Sequence, residues 1–188
     1  MPNAIISVYD KTKLDYLGES LNHLGFNIYA TTGTLKYLHD QKIRAFPVEN
    51  IASNPTGFDS FITSLSFNTL IGTLVNEKTS VDSVKIEKID VVVYNFVRTW
   101  EVIKTLDDFN ISHVDLGGPT MIRAAAINFK YTLPIVSPSQ YDIVEDFPHI
   151  EDKKRLELAR EVFEYCAWYD NKLSEFLHTV QRGDNIND

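Results

Sequence analysis

The chain has one cysteine, Cys166, among its 188 residues. No internal disulfide can form, and no cysteine-rich zinc site can be built. Long apolar runs are missing too: none reaches the roughly 20 residues that a membrane-spanning helix needs. The opening Met1-Pro2-Asn3-Ala4 lacks both the charged start and the apolar stretch of a secretion signal. Basic residues are in the minority, 18 Lys and Arg against 26 Asp and Glu, for a net charge of −8. That balance argues against generic binding to a nucleic-acid backbone, which needs a basic face. A small phosphorylated ligand needs only one or two local cations, so it stays open. The expectation is a soluble, cytoplasmic protein with no nucleic-acid or membrane partner.

Apolar residues make up 44% and aromatics 12% of the chain, enough to bury a core, and the length fits one domain. The first third reads as strand, helix, strand, helix, strand. Ala4 to Val8 is short, apolar and β-branched. Leu14, Leu17, Leu21 and Leu24 recur at the three- and four-residue steps of an amphipathic helix, and Gly25 stops it. Phe26 to Ala30 is a second strand, Leu35 and Leu38 mark a second helix, and Ala45 to Val48 a third strand. Asn54-Pro55-Thr56-Gly57 is a turn cluster. Leu65 to Val75 is uncharged and fits either a buried helix or a strand. Ile89 to Phe96 has the near-continuous apolar character of a central parallel strand. A helix around Trp100 to Leu106 follows. Asp115 to Thr120 reads as a tight loop, Met121 to Asn128 as a helix and Tyr131 to Val136 as a strand. Pro138 suits the first turn of one more helix. One long helix is expected over about 151–180, burying Leu156, Ala159, Phe163, Ala167, Leu173 and Phe176. Alternating strands and helices imply an α/β fold with a mostly parallel sheet. No linker divides the chain, so residues 1–188 are expected to form one domain.

Two loops have the makings of a phosphate site. Thr31-Thr32-Gly33-Thr34 lies between a strand and a helix, where backbone N–H groups and hydroxyls converge on a helix N-terminus. Ordinary helix capping explains the same residues equally well. Asp115-Leu116-Gly117-Gly118-Pro119-Thr120 precedes a helix in the same way, its glycines allowing either close backbone approach or merely a turn. Lys11 follows the first strand's carboxyl end, where open α/β sheets bind ligands; Lys11 and Arg123 are the cations best placed to help. None of the five histidines is spaced from another as a metal pair, and no hydrolase triad, HExxH or Walker pattern occurs. No metal site is expected.

The loops also occur in a familiar order. Ile6-Ser7-Val8-Tyr9-Asp10-Lys11, Ala30-Thr31-Thr32-Gly33-Thr34, Thr56-Gly57-Phe58, Val93-Tyr94-Asn95 and the run from Asp115 to Ala126 resemble the IMP cyclohydrolase domain of the bifunctional purine-biosynthesis enzyme. Ser137 to Tyr141 and Arg155 to Leu177 extend the likeness over nearly the whole chain. The resemblance implies a methylglyoxal-synthase-like fold, a Rossmann-type parallel sheet flanked by helices, with no formyltransferase domain. It also implies a phosphorylated ribonucleotide ligand of the FAICAR, AICAR or IMP type, hydrolase-class ring chemistry, no metal or redox cofactor, and a homodimer. Matched position by position, it places Asp10, Lys11, Thr31, Thr32, Gly33 and Thr34 on the phosphate side. Asn95 and Asp115 fall on the base side, Asp115 being the expected catalytic carboxyl, with Tyr94, Leu116, Gly117 and Gly118 lining the ligand.

The family's other titratable groups are replaced. Its Arg-Val-Lys-Thr-Leu-His-Pro stretch gives way to Asp59 to Phe67, which is shorter and has no Lys, Arg or His. The family tyrosine is Val97 here, and its proton-transferring lysine is Ile127. Tyr9 and Tyr94 bring two phenols to the region, either for a changed substrate or to fill vacated space. Alternatives to a diverged cyclohydrolase are a ring-closing or dehydrating enzyme on a related ribonucleotide in a specialised pathway, or a non-catalytic nucleotide sensor or partner-binding domain. Methylglyoxal synthase itself is not expected, because its catalytic pattern is not visible.

Overall fold

The computed structural model describes residues 1–52, 64–79, 86–103 and 113–182, with residues 180–182 described by backbone alone. Five strands form one parallel sheet: β1 (Asn3–Val8), β2 (Asn27–Ala30), β3 (Phe46–Pro47), β4 (Val91–Asn95) and β5 (Leu133–Ile135). Their order is β3-β2-β1-β4-β5. The chain therefore begins in mid-sheet, builds outward through β2 and β3, then returns to the other side of β1 with β4. Ile5 pairs with Val92 and Val8 with Asn95, so β1 and β4 end level with one another.

Side chains alternate across each strand, and the sheet buries both faces. Ala4, Ile6, Val91 and Val93 pack with Leu14, Leu17 and Leu21 of α1 (Leu14–His23). Ile5, Val92 and Tyr94 face Met121, Ile122 and Ala125 of α6 (Gly117–Ile127) and Val162 of α7 (Asp152–Arg182). This double burial explains the continuous apolar run of β4. Gly25 ends α1 with φ +79°, a conformation costly to any residue with a Cβ. The remaining helices are α2 (Thr32–Asp40), α3 (Glu49–Ala52), α4 (Phe67–Leu74) and α5 (Thr99–Val102). The ambiguous Leu65–Val75 stretch is thus helical. Ser66 caps α4, accepting from the Thr69 N–H at 3.1 Å. A 3₁₀ helix spans Pro138–Asp146, with Pro138 in its first turn.

Two local expectations are corrected. The run Asp115–Thr120 is not all loop: α6 already begins at Gly117, because the Asp115 side chain caps its first turn. On α7, Leu156, Phe163 and Ala167 face outward, whereas Leu158, Val162, Cys166 and Tyr169 are buried beside Ala159 and Phe176. Both stripes have helical spacing, so periodicity alone does not say which one meets the sheet. The Asn54–Gly57 turn, most of Asp59–Phe67 and the Lys104–Leu106 end of the expected Trp100 helix lie outside the described residues.

Candidate functional site

The reversal of strand order between β1 and β4 opens a crevice at their carboxyl ends, the place where open α/β sheets bind ligands. Tyr9, Asp10 and Lys11 leave β1 there, and Asn95 closes β4. The Tyr9 N–H donates to the Asn95 carbonyl at 3.2 Å. The Asp10 N–H donates to Asn95 Oδ1 at 2.7 Å, and Asn95 Nδ2 returns a bond to the Asp10 carbonyl at 3.2 Å. Asn95 is buried, and with these two bonds its amide holds the turn while keeping a second N–H. The Asp10 carboxylate accepts from the Thr12 N–H at 2.9 Å. The Thr12 hydroxyl and N–H hold its pKa below the usual carboxylate value, against partial burial, and Arg98 and Lys11 help.

The Lys11 ammonium is half-buried. It donates to the Val8 carbonyl and lies 3.4 Å from Thr34 Oγ1. An ammonium has three donors, so one remains for a ligand. Burial pushes its pKa down, and Asp10 pulls it part of the way back. Thr34 is only 1% exposed; its hydroxyl accepts from the Val8 N–H at 3.1 Å and faces inward. Thr31 shares a 2.9 Å hydrogen bond with Ser7 and does not cap α2 with its side chain. Thr32 and Gly33 are exposed in the first turn of α2. The anion-facing groups of this corner are therefore uncapped N–H groups at a helix start rather than a ring of hydroxyls.

Asp115 lies across the crevice, at the start of α6. Its Oδ1 accepts from the Gly118 N–H at 2.7 Å. Burial raises its pKa above 3.8, while the N–H groups of Gly118 and Val97 oppose that rise. Gly118 is sterically required: a Cβ there would come within 2.9 Å of both Asp115 carboxylate oxygens and of the Phe96 ring. Gly117 is buried beside it, whereas Leu116 points outward. Tyr94 is buried against α6, where burial and the nearby Asp115 raise the pKa of its phenol. Tyr9 is exposed at the rim. Ile127 is 69% exposed at the far end of α6, about 15 Å of helix rise from Gly117. Arg123 pairs with Asp170 at 2.9 Å, away from the strand ends.

The elevated pKa of Asp115 has a sign that can be tested. Below the ordinary carboxylate value of 3.8 the group is protonated both folded and unfolded, and burial costs nothing. As pH rises through the higher folded value, ionisation in the buried site removes stability. Asp115→Asn should therefore raise the thermal midpoint relative to wild type at neutral pH more than at acid pH. An equal shift at both pH values would contradict this.

Sequence reasoning missed three side chains that surround the same loop. The Tyr165 hydroxyl accepts from the Phe96 N–H at 3.0 Å, and the Tyr169 hydroxyl accepts from the Asp115 N–H at 3.2 Å. Arg98 is exposed just beyond Asn95, pairing with Glu101 at 3.0 Å. The tyrosines sit 69 and 54 positions from these partners in sequence, within a helical pattern that reads as core. Elsewhere, an open groove of about 540 Å³ runs along α1, but Glu19 and Glu145 line it and would repel a phosphate. Among the described residues no cluster of His, Cys, Asp and Glu is arranged to hold a metal ion, and no helix is long and apolar enough to cross a membrane.

Comparison with known proteins agrees with this architecture. Residues 14–114 match the MGS-like domain model. The bifunctional purine biosynthesis protein PurH of Caldicellulosiruptor bescii is 36% identical over 97% of the chain and 38% of its own length. The Aquifex aeolicus PurH is 35% identical over 92% of the chain and 36% of its own. The chain thus spans little more than a third of these curated relatives. The crystal structure of ForH superposes with a TM-score of 0.82 at 28% identity, covering 94% of this chain and 98% of that one. Family model, PurH homology and parallel topology agree that this chain belongs to the MGS-like domain family.

Proposed function

We propose that the chain is a diverged, IMP-cyclohydrolase-like domain of purine-nucleotide type that binds a phosphorylated ribonucleotide in the cytoplasm. Homology to PurH, over 38% of that protein's length, supports a purine-pathway-related function. The observation that carries the reading is the β1–β4 crevice, with a half-buried cation and an uncapped helix start on one side and a carboxyl on the other. Ordinary FAICAR cyclisation is not expected, because Val97 and Ile127 have no proton to move.

A thermal-shift titration tests the reading. IMP or AICAR at about 100 times its dissociation constant adds about 2.7 kcal/mol to apparent stability. For a chain of this size that is on the order of 5–10 °C. Inosine, which lacks the phosphate, should shift the midpoint far less. If no ribonucleotide raises the midpoint, the reading is wrong.

Asp115 favours a second reading, a ring-closing or dehydrating enzyme on a related ribonucleotide. A carboxyl whose pKa is raised by burial is suited to general acid–base work. Mass spectrometry of the ligand recovered after incubation separates the two. Unchanged ligand supports a binding or sensing domain, whereas a product of altered mass supports the enzyme.

The same proposal includes a homodimer. Leu156, Phe163 and Leu177 are exposed apolar residues along one side of α7, flanking the face that meets the sheet. A second copy burying that side explains its composition. Sedimentation should give a dimer at micromolar concentration, and Phe163→Glu should shift it towards monomer. A monomeric wild type would remove this part of the proposal.

A further inference from the structure

The loop from Phe96 to Arg98 is ringed by groups that the phosphate corner does not use. The Tyr165 phenol takes the Phe96 N–H as its donor, and no hydrogen bond among the described residues uses the phenol's own proton. A phenol both donates and accepts, so that proton can be given to a ligand. The ring is held firmly in place. Its centroid lies 4.7 Å from that of Phe96, and it stacks on Trp168 at 5.6 Å and 20°. Trp168 in turn meets Trp100 edge-on at 5.6 Å. Arg98 is 46% exposed, and one of its nitrogens bonds to Glu101, which leaves further N–H groups open. The Tyr165 hydroxyl holds the Phe96 N–H, the Asp115 carboxyl takes the next N–H, that of Val97, and Arg98 follows in the chain, so the three side chains flank one short loop. Burial raises the Tyr165 pKa, and the Phe96 N–H and the Arg98 charge lower it.

Two donors with carboxylates on either side do not make an anion site. Asp115 lies within electrostatic range of Tyr165, and Asp10 within range of Arg98. A phosphate placed here would meet both acids. A neutral group with an acceptor atom and an N–H donor fits better: Tyr165 and Arg98 donate to the acceptor, and Asp115 receives from the N–H. The phosphate corner at the end of β2 lies two strand spacings from the end of β4, roughly 10 Å at about 4.8 Å per strand. The 5′-phosphate of a purine ribonucleotide and the far edge of its base are separated by a comparable length.

We propose that Tyr165 and Arg98 form the specificity edge of the site, reading a carbonyl- or amide-bearing base of a ribonucleotide whose phosphate lies at Lys11 and α2. The inference rests on the ribonucleotide reading above and adds the residues that select the base. Both act as ligand contacts, and the Phe96–Trp168–Trp100 stack positions the phenol.

The test compares two probes, IMP and ribose 5-phosphate, by calorimetric titration of wild type, Tyr165→Phe and Arg98→Met. Tyr165→Phe keeps the ring stack and removes only the hydroxyl. Arg98→Met changes an exposed side chain and leaves the core intact. Each variant should bind IMP about 10-fold more weakly while ribose 5-phosphate affinity stays within about twofold, because that probe never reaches the base edge. Equal weakening of both probes in both variants would assign the residues a merely structural role and overturn the inference. Unchanged IMP binding in both would overturn it too. If wild type binds neither probe, the ribonucleotide reading falls and takes this edge with it. If wild type binds IMP and the variants do not discriminate, only the edge falls.

Discussion

Purified chain supplied with FAICAR should form IMP at a rate lower than that of a PurH relative by roughly 10²–10⁴-fold or more, the usual contribution of a single general acid or base. Val97 offers only its backbone N–H to the site, and that N–H helps to hold Asp115. Ile127 has a hydrocarbon side chain and stands exposed at the last turn of α6. Among the described residues, Asp10, Lys11, Asp115, Tyr165 and Arg98 lie near the crevice, and none stands at the position of the resemblance's lysine or tyrosine. Restoring one position should not restore the rate. Ile127→Lys returns one titratable group while Val97 stays in place, and groups that act as a unit do not add independently. Chromatographic separation of FAICAR from IMP over a time course measures this directly. Turnover within tenfold of a PurH relative would show that other side chains have taken over the proton transfers.

Replacing Lys11 with alanine should weaken IMP by about 10- to 100-fold and leave inosine almost unaffected. A charge-assisted hydrogen bond contributes roughly 1.5–3 kcal/mol, and each decade of affinity is about 1.4 kcal/mol. Lys11 is half-buried, so salt screens its charge less than that of an exposed cation, and the effect should persist at moderate ionic strength. The variant also leaves the Val8 carbonyl without its ammonium partner, although the Thr34 hydroxyl still approaches it at 3.4 Å. A circular dichroism melt must therefore accompany the titration. The diagnostic quantity is the ratio of IMP to inosine affinity. If that ratio equals the wild-type value in a folded variant, the phosphate does not sit at this corner.

Much of the fold was legible in local pattern. The leucine stripe of α1, the Gly25 stop, the apolar run of β4 and Pro138 at the head of the 3₁₀ helix all follow from how one residue and its near neighbours fit a backbone geometry. The uncapped start of α2 was visible as a strand–helix junction. Its hydroxyls misled, because side-chain type does not reveal which way a side chain turns: Thr34 lies inward against Val8, and only Thr32 and Gly33 stand open. Tyr94 shows the same limit, since alternation along a strand has two phases and only packing shows which one meets α6.

The sequence by itself determined that this is a parallel α/β chain, in what order its elements come, and which residue types stand at the strand ends. Those properties depend on propensity and on periods of two or 3.6 residues, which act over a few positions. Tertiary structure alone decided three further things. It placed β4 beside β1, and so put the crevice between Lys11 and Asp115. It chose the Leu158–Val162–Cys166–Tyr169 stripe of α7 over the Leu156–Phe163 stripe, because the first matches the sheet face already carrying Val92 and Tyr94. It then brought Tyr165 onto the Phe96 amide, a contact that spans 69 positions. Contacts of that span depend on which surfaces fit best once the whole chain has collapsed, and no local rule of spacing encodes that competition.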